Sequence, residues 1–160
     1  MTRQLVHDLT YDAPANAVTA MLADPAFREE VCDFIGVTRK SVVIEQVGEG
    51  MHVTIDQWQP TGRVQPFAKK FVGEEVNIVQ REIWTTPLLG DIAVTIPGKP
   101  GNMNGSARIS EAHGVTTESI DMSVKVGIPL IGGKVEDYIA GLLLKALKAE
   151  NIVGRDYLAR

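Results

Sequence analysis

The sequence has one cysteine, Cys32, among 160 residues. That count excludes an internal disulfide and a zinc site built on several thiolates. Histidine is nearly as scarce. His7, His52 and His113 stand far apart, with no pair at helical ligand spacing and no CxxC beside them. No metal site is expected from such a set. Positive charge is not in excess either: 16 Lys and Arg face 20 Asp and Glu, for a net charge of −4. A nucleic-acid interface needs a clustered basic excess, so no nucleic-acid partner is expected. No apolar run approaches the roughly 18 residues of a membrane span. The longest candidate, Ile139 to Leu144, is short and contains Gly141. The opening MTRQLVHDLTYDAP has neither an apolar stretch of signal length nor a lipidation motif. These absences predict a cytoplasmic protein with its cysteine reduced.

What is present is ordinary globular composition, 44% hydrophobic and 22% charged. The length suits a single domain over residues 1–160. Residues 1–80 carry 7 basic and 11 acidic side chains and residues 81–160 carry 9 of each, a shift too gentle to mark a boundary. The chain opens on a strand in which Leu5, His7, Leu9 and Tyr11 alternate with polar neighbours, broken by Val6. Asp12-Pro14 and Asp24-Pro25 each read as a helix start, giving two short helices over 13–35 that end at Gly36. Three hairpins follow: 37–47 with 51–59, 74–85 with 90–97, and 103–111 with 115–127. Pro66 to Val72 has room for one short helical turn. From Pro129 to Leu158 the period becomes helical, with Val135, Ile139, Leu142, Ala146, Ala149 and Val153 on one stripe. The order predicts an α+β fold: a seven-stranded antiparallel sheet with one face covered by a long C-terminal helix.

Catalytic motifs are few. There is no GxSxG elbow. Cys32 sits in Glu29-Glu30-Val31-Cys32-Asp33, where acidic neighbours raise a thiol pKa, so it reads as a small core residue. Gly127 to Lys134 resembles a phosphate loop, but the spacing is off by one and Val135 replaces the hydroxyl residue. Pro129, Gly132 and Gly133 read instead as the turn from last strand into long helix, whose N-terminus favours an anionic group. No cofactor is expected and no residue is assigned as catalytic.

Strand parity then points to the concave face of the sheet. Ile120, Met122, Val124 and Val126 turn inward together, as do Met103, Ala107 and Ile109, and Ile92, Val94 and Ile96. Val53 and Ile55 face in on the segment before Trp58. If Val76, Ile78 and Trp84 face in, Gln80 and Glu82 face in with them. The inward polar set is His7, Tyr11, Gln57, Gln80 and Glu82. Apolar walls with a few placed polar groups are the make-up of a small-molecule site. The candidate ligand-binding residues are therefore this polar set, with Trp84, Ile92, Val94, Met122 and Val124 from the sheet and Ile139 and Leu142 from the helix. Glu82 has two readings. It orients a ligand or serves as an acid or base at raised pKa, or it is exposed or paired with Arg81 or a nearby lysine. His7 reads as a satisfied core histidine or a ligand contact, and Trp58 and Trp84 as core or rim packing. Two loops, Pro97 to Asn102 and Pro60 to Pro66, are placed to gate such a cavity or are simply turns.

Several stretches resemble the START-like superfamily of helix-grip proteins, also called SRPBCC or Bet v 1-like. They are the strand ending at Tyr11, Ala13-Pro14 with Val18, Asp24-Pro25-Ala26-Phe27-Arg28, Gln80-Arg81-Glu82-Ile83-Trp84 and the run from Gly127 to Glu136. Within the superfamily the chain is most similar to a bacterial family of unknown function. The opening strand departs from the pattern, with Leu5 where an aromatic is usual. The resemblance implies a curved sheet gripping the long helix around a ligand cavity. It also implies binding or carriage of a hydrophobic small molecule such as a lipid, polyketide-like or isoprenoid compound. Two alternatives stand beside that reading. One is a cofactor-free cyclase, dehydratase or hydrolase using Glu82 with His7 or Tyr11. The other is a non-catalytic protein-interaction module.

Overall fold

The computed structural model describes residues 2–61 and 65–160. Residues 62–64 of the expected Pro60-to-Pro66 loop lie outside the described residues. β1 (Arg3–Tyr11) is followed by α1 (Ala15–Leu22) and α2 (Pro25–Ile35). Then come β2 (Arg39–Val47), β3 (Gly50–Pro60), α3 (Pro66–Val72) and β4 (Glu75–Thr86). β5 (Leu89–Thr95), β6 (Asn102–Ala112), β7 (Val115–Lys125) and α4 (Gly132–Leu158) complete the chain. Every strand pair is antiparallel, in the order β1-β7-β6-β5-β4-β3-β2. This is a helix-grip fold, with the curved sheet wrapped around α4.

Local chemistry sets the element ends. Asp24 caps α2 by accepting a 2.9 Å hydrogen bond from the Ala26 amide, Pro25 starts the helix, and Gly36 ends it at φ 94°. The His113-Gly114 turn has both residues at positive φ, as a two-residue hairpin twisted like its strands requires. At the β7–α4 junction a Cβ on Gly132 would lie 2.7 Å from the Val126 carbonyl oxygen, so only glycine permits this approach. Buried Glu136 secures the same junction, accepting from the Val126 amide at 2.7 Å.

The expected alternation holds on the concave face, where Ile92, Val94, Met103, Ala107, Ile120, Met122 and Val124 are buried. Val6, which breaks the pattern of β1, is 69% exposed. α4 packs chiefly on β1 and β7 and against α2. Two contacts tie its C-terminal end to α2: the Tyr157 hydroxyl donates to Asp24 at 2.6 Å, and the Tyr157 ring meets Phe27 edge-on at 5.6 Å. Over β3, β4 and β5 the helix stands further off, and cavities open there. The stripe predicted for α4 needs one correction. Leu142 is 42% exposed, because it borders one of these open cavities rather than packed side chains. Among the described residues, no helix is long and apolar enough to cross a membrane, and no cluster of His, Cys, Asp and Glu has the arrangement of a metal site.

Candidate functional site

A buried polar cluster lies between the sheet and the helices. Arg28 projects from α2, one turn before Cys32. Its Nη1 and Nη2 each donate to a Glu82 carboxylate oxygen at 2.9 Å, a parallel fork geometry. Its Nε donates to the Leu22 carbonyl at 2.9 Å. Glu82 also accepts from Trp84 Nε1 at 2.8 Å and from Gln80 Nε2 at 2.5 Å. The carboxylate thus holds four donors, which nearly exhausts its accepting capacity. Trp84 is fixed for this role because its ring covers Gly90, where a Cβ would lie 2.6 Å from the indole.

Two further carboxylates share the cluster. Glu150 on α4 is 14% exposed, and its Oε1 lies 3.8 Å from Arg28 Nη1. Glu118 on β7 is 3% exposed, and its Oε1 has no hydrogen-bond partner among the described residues. Tyr11 on β1 is 1% exposed, and its hydroxyl also has no partner there. That hydroxyl rests against Gly154, one turn beyond Glu150. Leu9 lies opposite Glu118 in the β1–β7 register, so Tyr11 is Glu118's diagonal neighbour.

These surroundings separate the titrating groups. Burial raises the Glu82 pKa, but the charge and hydrogen bonds of Arg28, with the bonds from Trp84 and Gln80, outweigh it and hold the carboxyl below its ordinary value. Glu82 is therefore ionised, which corrects the expectation of a raised pKa. Its partner is Arg28, not Arg81 or a lysine, and it is not exposed. Burial pushes Glu150 up to about 7 despite Arg28 nearby. Burial, and then the neighbouring Glu150, raises Glu118 well above the carboxylate range. The Tyr11 hydroxyl is raised by burial, then by Glu150 and Glu118.

Two small cavities adjoin the carboxylates of this cluster, and an apolar cleft lies nearer the start of α4. The cleft, of ≈ 200 Å³, opens between α4, α3 and the ends of β3–β5, with Phe71, Ile78, Ile96, Tyr138, Ile139 and Leu142 among its walls. Phe67 of α3 meets Tyr138 of α4 edge-on at 5.8 Å, bracing one side. Deeper in, a cavity of ≈ 40 Å³ is bounded by Glu82, Glu118, Glu150, Ile92, Val94 and Met122. Another of ≈ 70 Å³ is bounded by Arg28, Cys32, Gln57, Gln80 and Glu150. The two inner cavities share Gln80, Ala146, Leu147 and Glu150 as walls.

Residues 6–158 match the family described as "Protein of unknown function (DUF2505)". The chain belongs to this family. No curated protein matches the sequence. Solved structures similar to this DUF2505 member include TTHA0849 from Thermus thermophilus, at 13% identity and TM-score 0.67, covering 98% of this chain and 97% of that one. The ZhuI aromatase/cyclase from Streptomyces sp. R1128 is similar at 15% identity and TM-score 0.60, over 99% of this chain and 92% of that one. Norcoclaurine synthase from Thalictrum flavum is similar at 14% identity and TM-score 0.63, over 100% of this chain and 88% of that one. Identities this low speak to the fold alone, which is that of the START-like, SRPBCC or Bet v 1-like superfamily.

In this DUF2505 protein the residues singled out from sequence fall into several groups. Gln57, Gln80, Glu82, Ile92, Val94 and Met122 line the inner cavities, and Ile139 and Leu142 line the cleft. Trp84 supports Glu82, and Tyr11 joins the polar cluster. His7 is half-buried opposite Ile120, Val124 is fully buried in the core, and neither lines any of the three cavities. No hydrogen bond joins Glu82 to His7 or Tyr11 among the described residues. Sequence reading missed Arg28, Glu118 and Glu150. Parity from Ile120 places Glu118 inward, and Glu150 follows Ala146 by one helical turn, so both had a signal.

Proposed function

We propose that this protein binds or carries a hydrophobic small molecule between the sheet and α4, entering through the cleft beside Leu142. The observation that carries this reading is the cleft itself. Apolar side chains of β4, α3 and α4, with Ile96 just past β5, line this cleft without filling it, and Leu142 remains 42% exposed although it belongs to the apolar stripe of the helix. An exposed apolar side chain beside a concave apolar wall marks a place where a ligand gains burial. The cleft's ≈ 200 Å³ is below the roughly 300–1,000 Å³ of drug-sized sites, so it takes a short or narrow molecule, or part of a longer one. The printed names of two structural neighbours, an aromatase/cyclase and a synthase, add weight to a small-molecule role for the fold.

Glu82 serves this site as an anchor rather than as an acid or base. Its oxygens are occupied by four donors, and an ionised carboxylate so engaged has no proton to give. Native mass spectrometry of freshly purified protein, with solvent extraction of bound organics, tests the binding reading. A retained apolar compound in stoichiometric amount is the expected result. A bare chain that also takes up no apolar compound on incubation contradicts it.

A further inference from the structure

The inner end of this interior has a chemical polarity of its own. Arg28 looks at first like a receptor for an anionic head group, but its donors are already committed to Glu82, to the Leu22 carbonyl and towards Glu150. The free capacity is of the opposite kind. Glu118, 3% exposed and bounding the ≈ 40 Å³ cavity, has an acceptor oxygen with no partner among the described residues. Glu150 bounds both inner cavities and has only a 3.8 Å contact with Arg28. Arg28 pairs with Glu82 and, at 3.8 Å, with Glu150, so three carboxyls share one cation and Glu118 has none of its own. Unmatched buried acceptors favour a donor, and most of all a positively charged one. A space of ≈ 40 Å³ suits a group about the size of one water, whose share of liquid volume is about 30 Å³.

The cleft and this polar end lie along the same two elements. On α4, Leu142 lines the cleft and Glu150 the inner cavities, a separation of about 12 Å at about 1.5 Å per residue. On β4, Ile78 lines the cleft and Glu82 the inner cavity, about 13 Å apart at about 3.3 Å per residue. Leu143 and Leu147, half-buried on α4, line the inner cavities, and Leu143 directly follows Leu142 of the cleft.

We propose that the ligand is an elongated amphipathic amine, with its apolar body in the cleft and its protonated nitrogen held by Glu118 and Glu150. The proposal rests on the reading of the cleft as a ligand site and specifies the head group. Glu118 and Glu150 both bound the ≈ 40 Å³ cavity together with Glu82 from β4, and Arg28 from α2 and Tyr11 from β1 stand in the same cluster, so Arg28 is the one cation close by among the described residues. An entering ammonium supplies a second. A carboxyl that was protonated then ionises and gives its proton to solvent, so binding of the charged amine is accompanied by proton release.

The test uses three probes of equal chain length, n-decylamine, n-decanol and n-decanoate, each kept below micelle-forming concentration. Binding to the full chain is followed by calorimetry at pH 7 in two buffers of different ionisation enthalpy. Expected is that n-decylamine binds about tenfold or more tightly than n-decanol. n-Decanoate should be weakest, and the amine's heat should depend on buffer in the sense of proton release. Glu118→Gln and Glu150→Gln should each remove most of the preference for the amine over n-decanol, and a native-like circular dichroism spectrum with a cooperative urea transition shows that the variants fold. Equal affinity for the three probes, or tightest binding of n-decanoate, overturns the amine assignment and leaves the ligand site standing. Failure of all three to bind overturns both.

Discussion

Arg28 and Glu82 are 54 positions apart and meet in the interior through two parallel 2.9 Å hydrogen bonds. Their side chains are 4% and 3% exposed. The pair joins α2 to the middle of the sheet and presents Glu82 as a fixed, ionised surface to the inner cavity. Removing one partner strands the other. Arg28→Met should cost about 3–5 kcal/mol in urea unfolding. Arg28→Met combined with Glu82→Leu should be more stable than Arg28→Met alone, since no uncompensated charge is left. Arg28→Lys should rescue little, because an ammonium cannot make the fork.

Stability should depend on pH with opposite signs from the two kinds of carboxyl. Glu150, raised to about 7, holds a proton in the folded chain that an unfolded glutamate has lost above about 4.3. The folded state therefore binds more protons over that window, and stability falls as pH rises from about 4.3 through about 7. Glu118, raised in the same sense, adds to the fall. Glu82 is lowered, so its contribution is present above about 4.3 and is lost as pH drops below that towards its folded value. Arg28 and Tyr11 face this cluster and keep their protons throughout the window. Urea titrations from about pH 4.5 to 8 should show the wild type losing stability with rising pH, and Glu150→Gln losing less.

Cys32 should be inert in the folded protein. It is 3% exposed, and burial pushes its thiol up to about 11. A thiol-disulfide reagent at about pH 8 should modify one equivalent only in denaturant, with no reaction under native conditions on the same timescale.

Leu142 separates ligand binding from stability. At 42% exposure it contributes little to the core, yet it borders the cleft. Leu142→Glu should leave the urea midpoint nearly unchanged and weaken binding of an apolar probe such as n-decanol by about tenfold, the scale set by placing a charge beside the occupant.

Much of this arrangement is legible in the sequence because period-two alternation is a direct readout of sheet faces. Ile120, Met122 and Val124 carry it plainly, and the same count continued backwards reaches Glu118. Glu82 is legible through Trp84. Its partner is not, because Arg28 lies on a short helix distant in sequence, and an arginine on a helix otherwise signifies a solvated face. The expected raised pKa for Glu82 followed from burial alone, which is the correct sign for an unpaired carboxyl and the wrong one beside a guanidinium. Leu142 misled for a geometric reason: a helical stripe records which face is apolar, not whether the space beneath it is filled.

The central claim is that an apolar molecule occupies the cleft between α3, α4 and the ends of β3–β5. Titration of uniformly ¹⁵N-labelled protein with n-decanol, followed by amide shifts, tests it most directly. The account predicts saturable shifts concentrated at Phe71, Ile78, Tyr138, Ile139 and Leu142 and extending inward towards Ala146 and Leu147, all residues that bound the cavities. Shifts confined to other parts of the surface, or no saturable shift at all, would contradict it.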